Sequence, residues 1–281
     1  MQEKEVLTAT KVAIQGIAGS FHHQVAQEYF GSSVQIEECR TFQNIADSLQ
    51  QDQSSHAVMA IENSIAGAIL PNYALLDEYN LYIEGEYYLN IHHHLMALPG
   101  QDMEDIREVW SHPMALLQCR KFFRDYPDIK LVEDIDTADV ARRIEEQHLK
   151  GIAAIASQSA AQIYHLQILS AEIQTINENA TRFFILKRRG RQEAELINKA
   201  SIRFTTEHKR GSLAAVLNVM SDCKLNLTKI QSLPVIDQPW KYAMFVDVTF
   251  EQYAHFEKAE ALLKIMTPDF KVLGTYKNQQ S

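Results

Sequence analysis

Over its first two-thirds the chain alternates short β-rich runs with stretches of helical periodicity, and this alternation limits the fold more than any other feature. Strand-like runs at 12–15, 34–39 and 57–61 are each followed by a helical pattern, at 21–30, 42–50 and 69–79. Alternation of this kind predicts an α/β fold with a largely parallel sheet. A long strand is then expected over 81–98, with no strong breaker until Pro99-Gly100. A second set of units follows: a strand at 106–110, a helix after Pro113, a strand near Leu131, a helix over 137–147 and a buried run at 152–156. Two α/β lobes joined by crossing strands leave a cleft between them.

At 281 residues the chain exceeds the usual single domain, and its 46% hydrophobic content suffices for one sizeable core and a smaller one. The polar stretch 187–199, punctuated by Gly190, reads as a linker, which predicts domains over 1–190 and 191–281. Beyond it the order changes to strand (200–206), helix (211–221), strand (225–234), strand (242–250), helix (254–265) and strand (270–276). That order predicts a ferredoxin-like βαββαβ unit. A net charge of -9 argues against a nucleic-acid partner, since the longest basic cluster is Lys187-Arg188-Arg189. Cys39, Cys119 and Cys223 are odd in number and far apart, so neither a disulfide framework nor a thiolate metal site is expected, in keeping with a reducing cytosol. The charged start and the lack of any run of 18 apolar residues predict a soluble cytoplasmic protein with no membrane partner.

Several short segments carry chemistry. Asn179-Ala180-Thr181-Arg182-Phe183 opens a hydrophobic strand. A threonine hydroxyl at a strand end can donate to a leaving oxygen while a neighbouring guanidinium grips a carboxylate. Glu62-Asn63-Ser64 ends a buried strand, where α/β sheets present ligand-binding groups. In Gly16-Ile17-Ala18-Gly19-Ser20-Phe21 the glycines would free backbone N–H groups to face an anion, with Ser20 as helix cap. If Ser111 starts the helix that contains Pro113, the interval of seven to Gln118 returns both side chains to one face. Thr137 is expected to cap the following helix. His92, His93 and His94 lack a carboxylate or thiolate partner at metal-site spacing and read as structural or pocket-edge residues; Cys119 reads as helix filler.

Taken in order, these segments resemble those of the prephenate dehydratases, over nearly the whole chain from Val12 to Tyr276. Ile17, Ser20 and Met114 depart from that family's usual proline, threonine and polar residue. Gly211-Ser212-Leu213 and the stretch 226–234 resemble the two effector motifs of ACT domains, although Gln231 and Leu233 stand where Glu and Arg are usual. The resemblance implies a two-lobed catalytic domain of periplasmic-binding-protein type followed by an ACT domain. It implies catalytic roles for Thr181, Arg182, Glu62, Ser111 and Gln118, and substrate contacts from Ser20, Asn63, Ser64, Asn179 and Phe183. Gly211, Ser212, Leu213, Asn226, Gln231 and Ser232 would hold L-phenylalanine as feedback effector in a homo-oligomer, dimer or tetramer. The substrate would be prephenate, converted to phenylpyruvate with no metal or cofactor. Two alternatives stay open: arogenate dehydratase, and a non-catalytic amino-acid-binding regulator.

Overall fold

The computed structural model describes residues 10–188, 197–207, 209–235, 238 and 240–280. Strand β1 (Lys11–Gln15) lies inside a sheet because Val12, Ala13 and Ile14 are all apolar and fully buried, without the alternation of a half-exposed strand. Strands β2 (Gln35–Cys39) and β3 (His56–Asn63) flank it, both parallel. A short β4 (Gly67–Ala68) folds back antiparallel on the end of β3. The sheet order is β2-β1-β3-β11-β5, with β5 at Tyr82–Asn90 and β11 at Ala180–Lys187. Helices α1 (Phe21–Phe30) and α2 (Phe42–Gln50) start at Ser20 and Thr41, whose hydroxyls accept the N–H of His23 and Asn44.

The second sheet has the order β10-β6-β9-β7-β8, formed by β6 (His94–Ala97), β7 (Glu108–Ser111), β8 (Lys130–Glu133), β9 (Ile152–Ala156) and β10 (Gln167–Ser170). Its helices are α4 (Pro113–Cys119), α5 (Thr137–Glu146) and α6 (Gln158–Ile163). The single long strand expected over 81–98 is broken: residues 91–93 leave the ladder between β5 and β6. There the Ile91 N–H donates to the Asn179 carbonyl at 2.7 Å and the His93 N–H to Gln174 Oε1 at 2.9 Å, so tertiary partners replace strand pairing. Asp136, not Thr137, caps α5: its Oδ1 accepts the N–H of Ala138 and Asp139 at 2.8 and 2.9 Å. One carboxylate oxygen of Asp136 accepts both N–H groups through its separate lone pairs, so two of the first-turn donors are served from the residue before Thr137.

The C-terminal segment follows the order β12 (Lys199–Thr205), α7 (Ser212–Asp222), β13 (Asn226–Pro234), β14 (Tyr242–Thr249), α8 (Tyr253–Met266), β15 (Asp269–Tyr276). Its sheet is antiparallel in the order β13-β14-β12-β15. Ala200, Ile202 and Phe204 of β12 point into a core shared with Val216 and Met220 of α7 and Phe256 and Leu263 of α8. The other face of β12 carries Lys199, Ser201, Arg203 and Thr205, all buried.

Packing divides the chain into two compact units, one of Met1–Ala68 with Tyr88–Phe183, the other of Ile69–Tyr87 with Phe184–Ser281. The second unit therefore takes in α3 (Leu70–Glu78) and most of β5. Glu86 pairs with Lys199, and Asp77 with Arg203 and Lys271, which supplies the polar face of β12 and β15 with counter-charges. Gly274 is required there, because a Cβ would overlap the Ile83 carbonyl oxygen. Lys199, expected at the end of a linker, instead opens a strand; the expected domain junction at 190/191 lies outside the described residues. Among the described residues no helix is long and apolar enough to cross a membrane.

Candidate active site

A connected set of amide, hydroxyl and imidazole groups in the first unit joins elements of both its sheets. Asn63 ends β3, and its Oδ1 accepts the backbone N–H of Ile65 and Ala66 at 3.0 and 2.9 Å. Its Nδ2 donates to Asn179 Oδ1 at 2.7 Å and to Thr181 Oγ1 at 2.9 Å. Asn179 Nδ2 donates in turn to Gln118 Oε1 at 3.1 Å, and the same oxygen lies 2.8 Å from His93 Nε2. Ser64 secures the start of β11: its N–H donates to the Ala180 carbonyl at 2.8 Å and its Oγ accepts the Ala180 N–H at 3.0 Å. Since the Asn63 amide fills a lone pair of Thr181 Oγ1, the Thr181 hydroxyl hydrogen is left to donate elsewhere.

Other expected site residues have different surroundings. Adjacent strand residues point to opposite faces. Arg182 therefore leaves Thr181 and lies over the Tyr88 ring, 5.8 Å from its centroid, with 4% of its surface exposed. Phe183 returns to the Thr181 side but is a packing residue, edge-on to the His22 ring at 5.0 Å and 1% exposed. Glu62 is half-buried in β3 opposite Ala68.

Ser111 does not start a helix. It ends β7, fully buried, and its hydroxyl donates to the Ile155 carbonyl at 2.7 Å, while His112 caps α4 by accepting the Met114 N–H on Nδ1. The Ser111 hydrogen is thus committed to β9 and ties β7 to that strand. The glycine turn differs too. The N–H groups of Gly16, Ala18, Gly19 and Ser20 donate to Cys39 O, Glu38 Oε1, His23 Nδ1 and Ile17 O, so they are not presented to an anion. Gly16 and Gly19 have φ of 91° and 86°, and a Cβ on them would press on Asp136 Oδ2 and the Ala160 backbone, both at 2.9 Å. The turn is built for close approach between the two lobes, reinforced by Ser157 Oγ donating to the Gly19 carbonyl at 2.6 Å.

His93, expected as a structural or pocket-edge residue, lies inside the network and is 3% exposed. Burial pushes its pKa down to about 4. His22 is lowered to about 3, also by burial, and its Nε2 accepts the Ala60 N–H. Both rings are neutral near pH 7. Burial raises the Cys119 thiol to about 12, leaving it without thiolate character. Among the described residues no group of three or more His, Cys, Asp or Glu could hold a metal ion.

In the second unit, Gly211 (φ 84°) precedes α7. With Ser212, Leu213, Lys209, Arg210 and Tyr242 it lines a groove of about 820 Å³. Asn226 and Gln231 lie on β13, where the Gln231 amide donates to the Ser232 carbonyl at 3.1 Å. These three residues are not in the lining of that groove.

The bifunctional chorismate mutase/prephenate dehydratase of Aquifex aeolicus is 34% identical, covering 95% of this chain and 73% of that protein. Arogenate dehydratase/prephenate dehydratase 2 of Arabidopsis thaliana, a chloroplastic protein, is also 34% identical, covering 95% and 72%. Among solved structures, GqqA, described as a quorum-quenching acylase, matches with a TM-score of 0.86 at 25% identity over 96% of this chain and 98% of that one. The prephenate dehydratase of Arthrobacter aurescens in complex with L-Phe matches in fold, with a TM-score of 0.84 at 23% identity over 96% and 91%. A sequence model of the family described as prephenate dehydratase matches residues 12–191, and with this match and relatives at 34% identity along nearly its full length, the chain belongs to the prephenate dehydratase family.

Proposed function

We propose that the enzyme converts prephenate to phenylpyruvate, with Thr181 as hydrogen-bond donor to the leaving oxygen. As the ring C–O bond breaks, the electrons of the bond to the ring carboxylate move into the ring and CO2 departs. The leaving oxygen ends as water, the proton coming ultimately from solvent. Hydroxide is a poor leaving group, so a donor aimed at that oxygen stabilises the transition state more than the ground state. The observation that carries this reading is the Asn63 Nδ2–Thr181 Oγ1 hydrogen bond of 2.9 Å, which turns the hydroxyl into a donor. A threonine hydroxyl does not titrate near neutral pH, so it acts by position rather than as a strong acid.

Incubating purified protein with prephenate and, separately, with arogenate tests the reading, with phenylpyruvate and phenylalanine followed. Phenylpyruvate from prephenate is the expected product, whereas phenylalanine from arogenate alone would move the assignment to arogenate dehydratase. An acylase reading, suggested by the likeness to GqqA, gains nothing from Ser111 or Cys119: the Ser111 hydroxyl is bound to the Ile155 carbonyl and the Cys119 thiol is held protonated by burial.

Within this proposal the βαββαβ segment is an ACT domain that takes L-phenylalanine as inhibitor, and the enzyme works as a cytoplasmic homo-oligomer. Support comes from the strand order, from the groove at the start of α7, and from three buried, unpaired cysteines that suit a reducing compartment. Titrating L-phenylalanine in the same assay is expected to inhibit. No inhibition at millimolar effector, with no binding by calorimetry, would remove the regulatory half while leaving the catalytic half.

Arg182 acts in this reading by supporting β5 rather than by gripping a carboxylate. Arg182→Lys keeps the charge but loses the planar contact with Tyr88, and is expected to lower stability by about 2 kcal/mol, the order of a desolvated cation–π contact. KM is expected to hold. A clearly raised KM at unchanged stability would restore direct carboxylate binding.

A further inference from the structure

Nitrogen and oxygen of a side-chain amide are assigned from their partners, and here the partners leave no choice. The N–H groups of Ile65 and Ala66 can only donate, so the Asn63 atom they meet is Oδ1 and the other is Nδ2. Nδ2 donates to Asn179, which fixes that contact as Oδ1 and its other atom as Nδ2. Asn179 Nδ2 meets Gln118, so the Gln118 atom is Oε1. That oxygen also faces His93 Nε2 at 2.8 Å, and an oxygen accepts only from a nitrogen that carries hydrogen. The reverse tautomer would set two lone pairs against each other and bury an N–H without an acceptor. His93 Nδ1 is itself buried and meets no hydrogen-bond partner among the described residues, as suits a bare nitrogen. Its backbone is pinned by Gln174 and Ile173, and its ring stands edge-on to Phe21 at 5.7 Å.

We propose that His93 is a positioning residue for the dehydratase reaction: as the neutral Nε2–H tautomer it locks Gln118 with its amide nitrogen outward, as a donor to a substrate carboxylate. Gln118 is half-buried, its oxygen is filled by two donors, and no described residue takes its Nε2 hydrogens. Together with the Thr181 hydroxyl this gives the network two donors without an acceptor among the described residues, one for a substrate carboxylate and one for the leaving oxygen. The assignment of Gln118 to a carboxylate rests on the proposed prephenate reading; the tautomer does not.

Three variants separate this role from packing. His93→Gln places an amide nitrogen where Nε2 stands, His93→Asn reaches only to the Nδ1 position, and His93→Leu offers neither. His93→Gln is expected to keep kcat/KM on prephenate within about threefold, while Asn and Leu lose on the order of 10- to 100-fold, mostly in KM, the range for one hydrogen bond to a charged group. Thermal melts run alongside identify any variant that fails to fold. Equal kcat/KM for folded Gln and Asn variants would overturn the proposal. Nitrogen-15 spectra of histidine-labelled protein at neutral pH supply an arm independent of activity, with His93 expected to carry hydrogen on Nε2 and none on Nδ1. The opposite tautomer, or an imidazolium, would also overturn it. A wild type inactive on both prephenate and arogenate would instead sink the functional reading, while the spectra still decide the tautomer.

Discussion

Thr181→Ala is expected to lower kcat by about 10²–10³, the usual loss when one transition-state donor is removed, with KM changed much less. The expectation rests on direction as well as on proximity. Two backbone N–H groups hold the Asn63 oxygen, so the Asn63 nitrogen must face Thr181 Oγ1 and the hydroxyl hydrogen must point away from it. Thr181→Val tests this more sharply than alanine, because it keeps the shape of the side chain while leaving that Asn63 hydrogen only the long 3.4 Å contact with the Ala180 carbonyl; it should be at least as slow. Thr181→Ser keeps a hydroxyl within reach of the same amide and should retain most of the activity. Steady-state kinetics on prephenate decide the matter: a valine variant with half the wild-type kcat would remove Thr181 from the mechanism.

Asn63 and Thr181 stood out in the sequence as polar groups at strand ends, whereas Gln118 and Asn179 entered through the resemblance to the prephenate dehydratases. Their mutual bonding was not legible, since Asn63 and Thr181 are 118 positions apart and meet only when β3 and β11 share a sheet. His93 was hidden by its neighbours: three histidines in a row carry no period, His93 and His94 are both buried, and only the break in the strand at 91–93 brings His93 to Gln118. Ser111 was misplaced by one element because Pro113 signals a helix start but does not fix which residue caps it, and His112 took that place. The glycine turn was read for its free N–H groups, which fold-level contacts from Glu38 and His23 occupy. Most strands were legible from their period. In β12 the alternation of Ala200, Ile202 and Phe204 with Lys199, Ser201 and Arg203 marked a strand with one apolar face. That the polar face is buried as well depends on α3 and β5, more than a hundred positions earlier, and no local pattern announces such a partner.

That buried polar face makes Glu86 the residue whose loss should most reduce stability. Glu86 is 0% exposed and Lys199 3%; the ammonium donates to both carboxylate oxygens at 2.9 Å, and the Gln279 N–H donates to Oε1 at 3.2 Å. Removing one partner of such a pair leaves the other charge in a site with little water, so Glu86→Ala is expected to cost about 3–5 kcal/mol. Removing both charges avoids that penalty. Glu86→Leu combined with Lys199→Met should therefore be more stable than Glu86→Ala, although it carries more substitutions. Urea unfolding of the single and double variants, followed by a probe in the second unit, measures the difference. A loss below about 1 kcal/mol for Glu86→Ala would mean that Lys199 reaches water or another acceptor once Glu86 is gone. The consequence for activity follows from chain continuity. Strand β5 carries Glu86 and runs on through Asn90 to the segment holding His93. Glu86→Ala is therefore expected to lower kcat/KM on prephenate under conditions where the protein is still folded, and the double variant to recover it; an unchanged kcat/KM would leave Glu86 a stability residue alone.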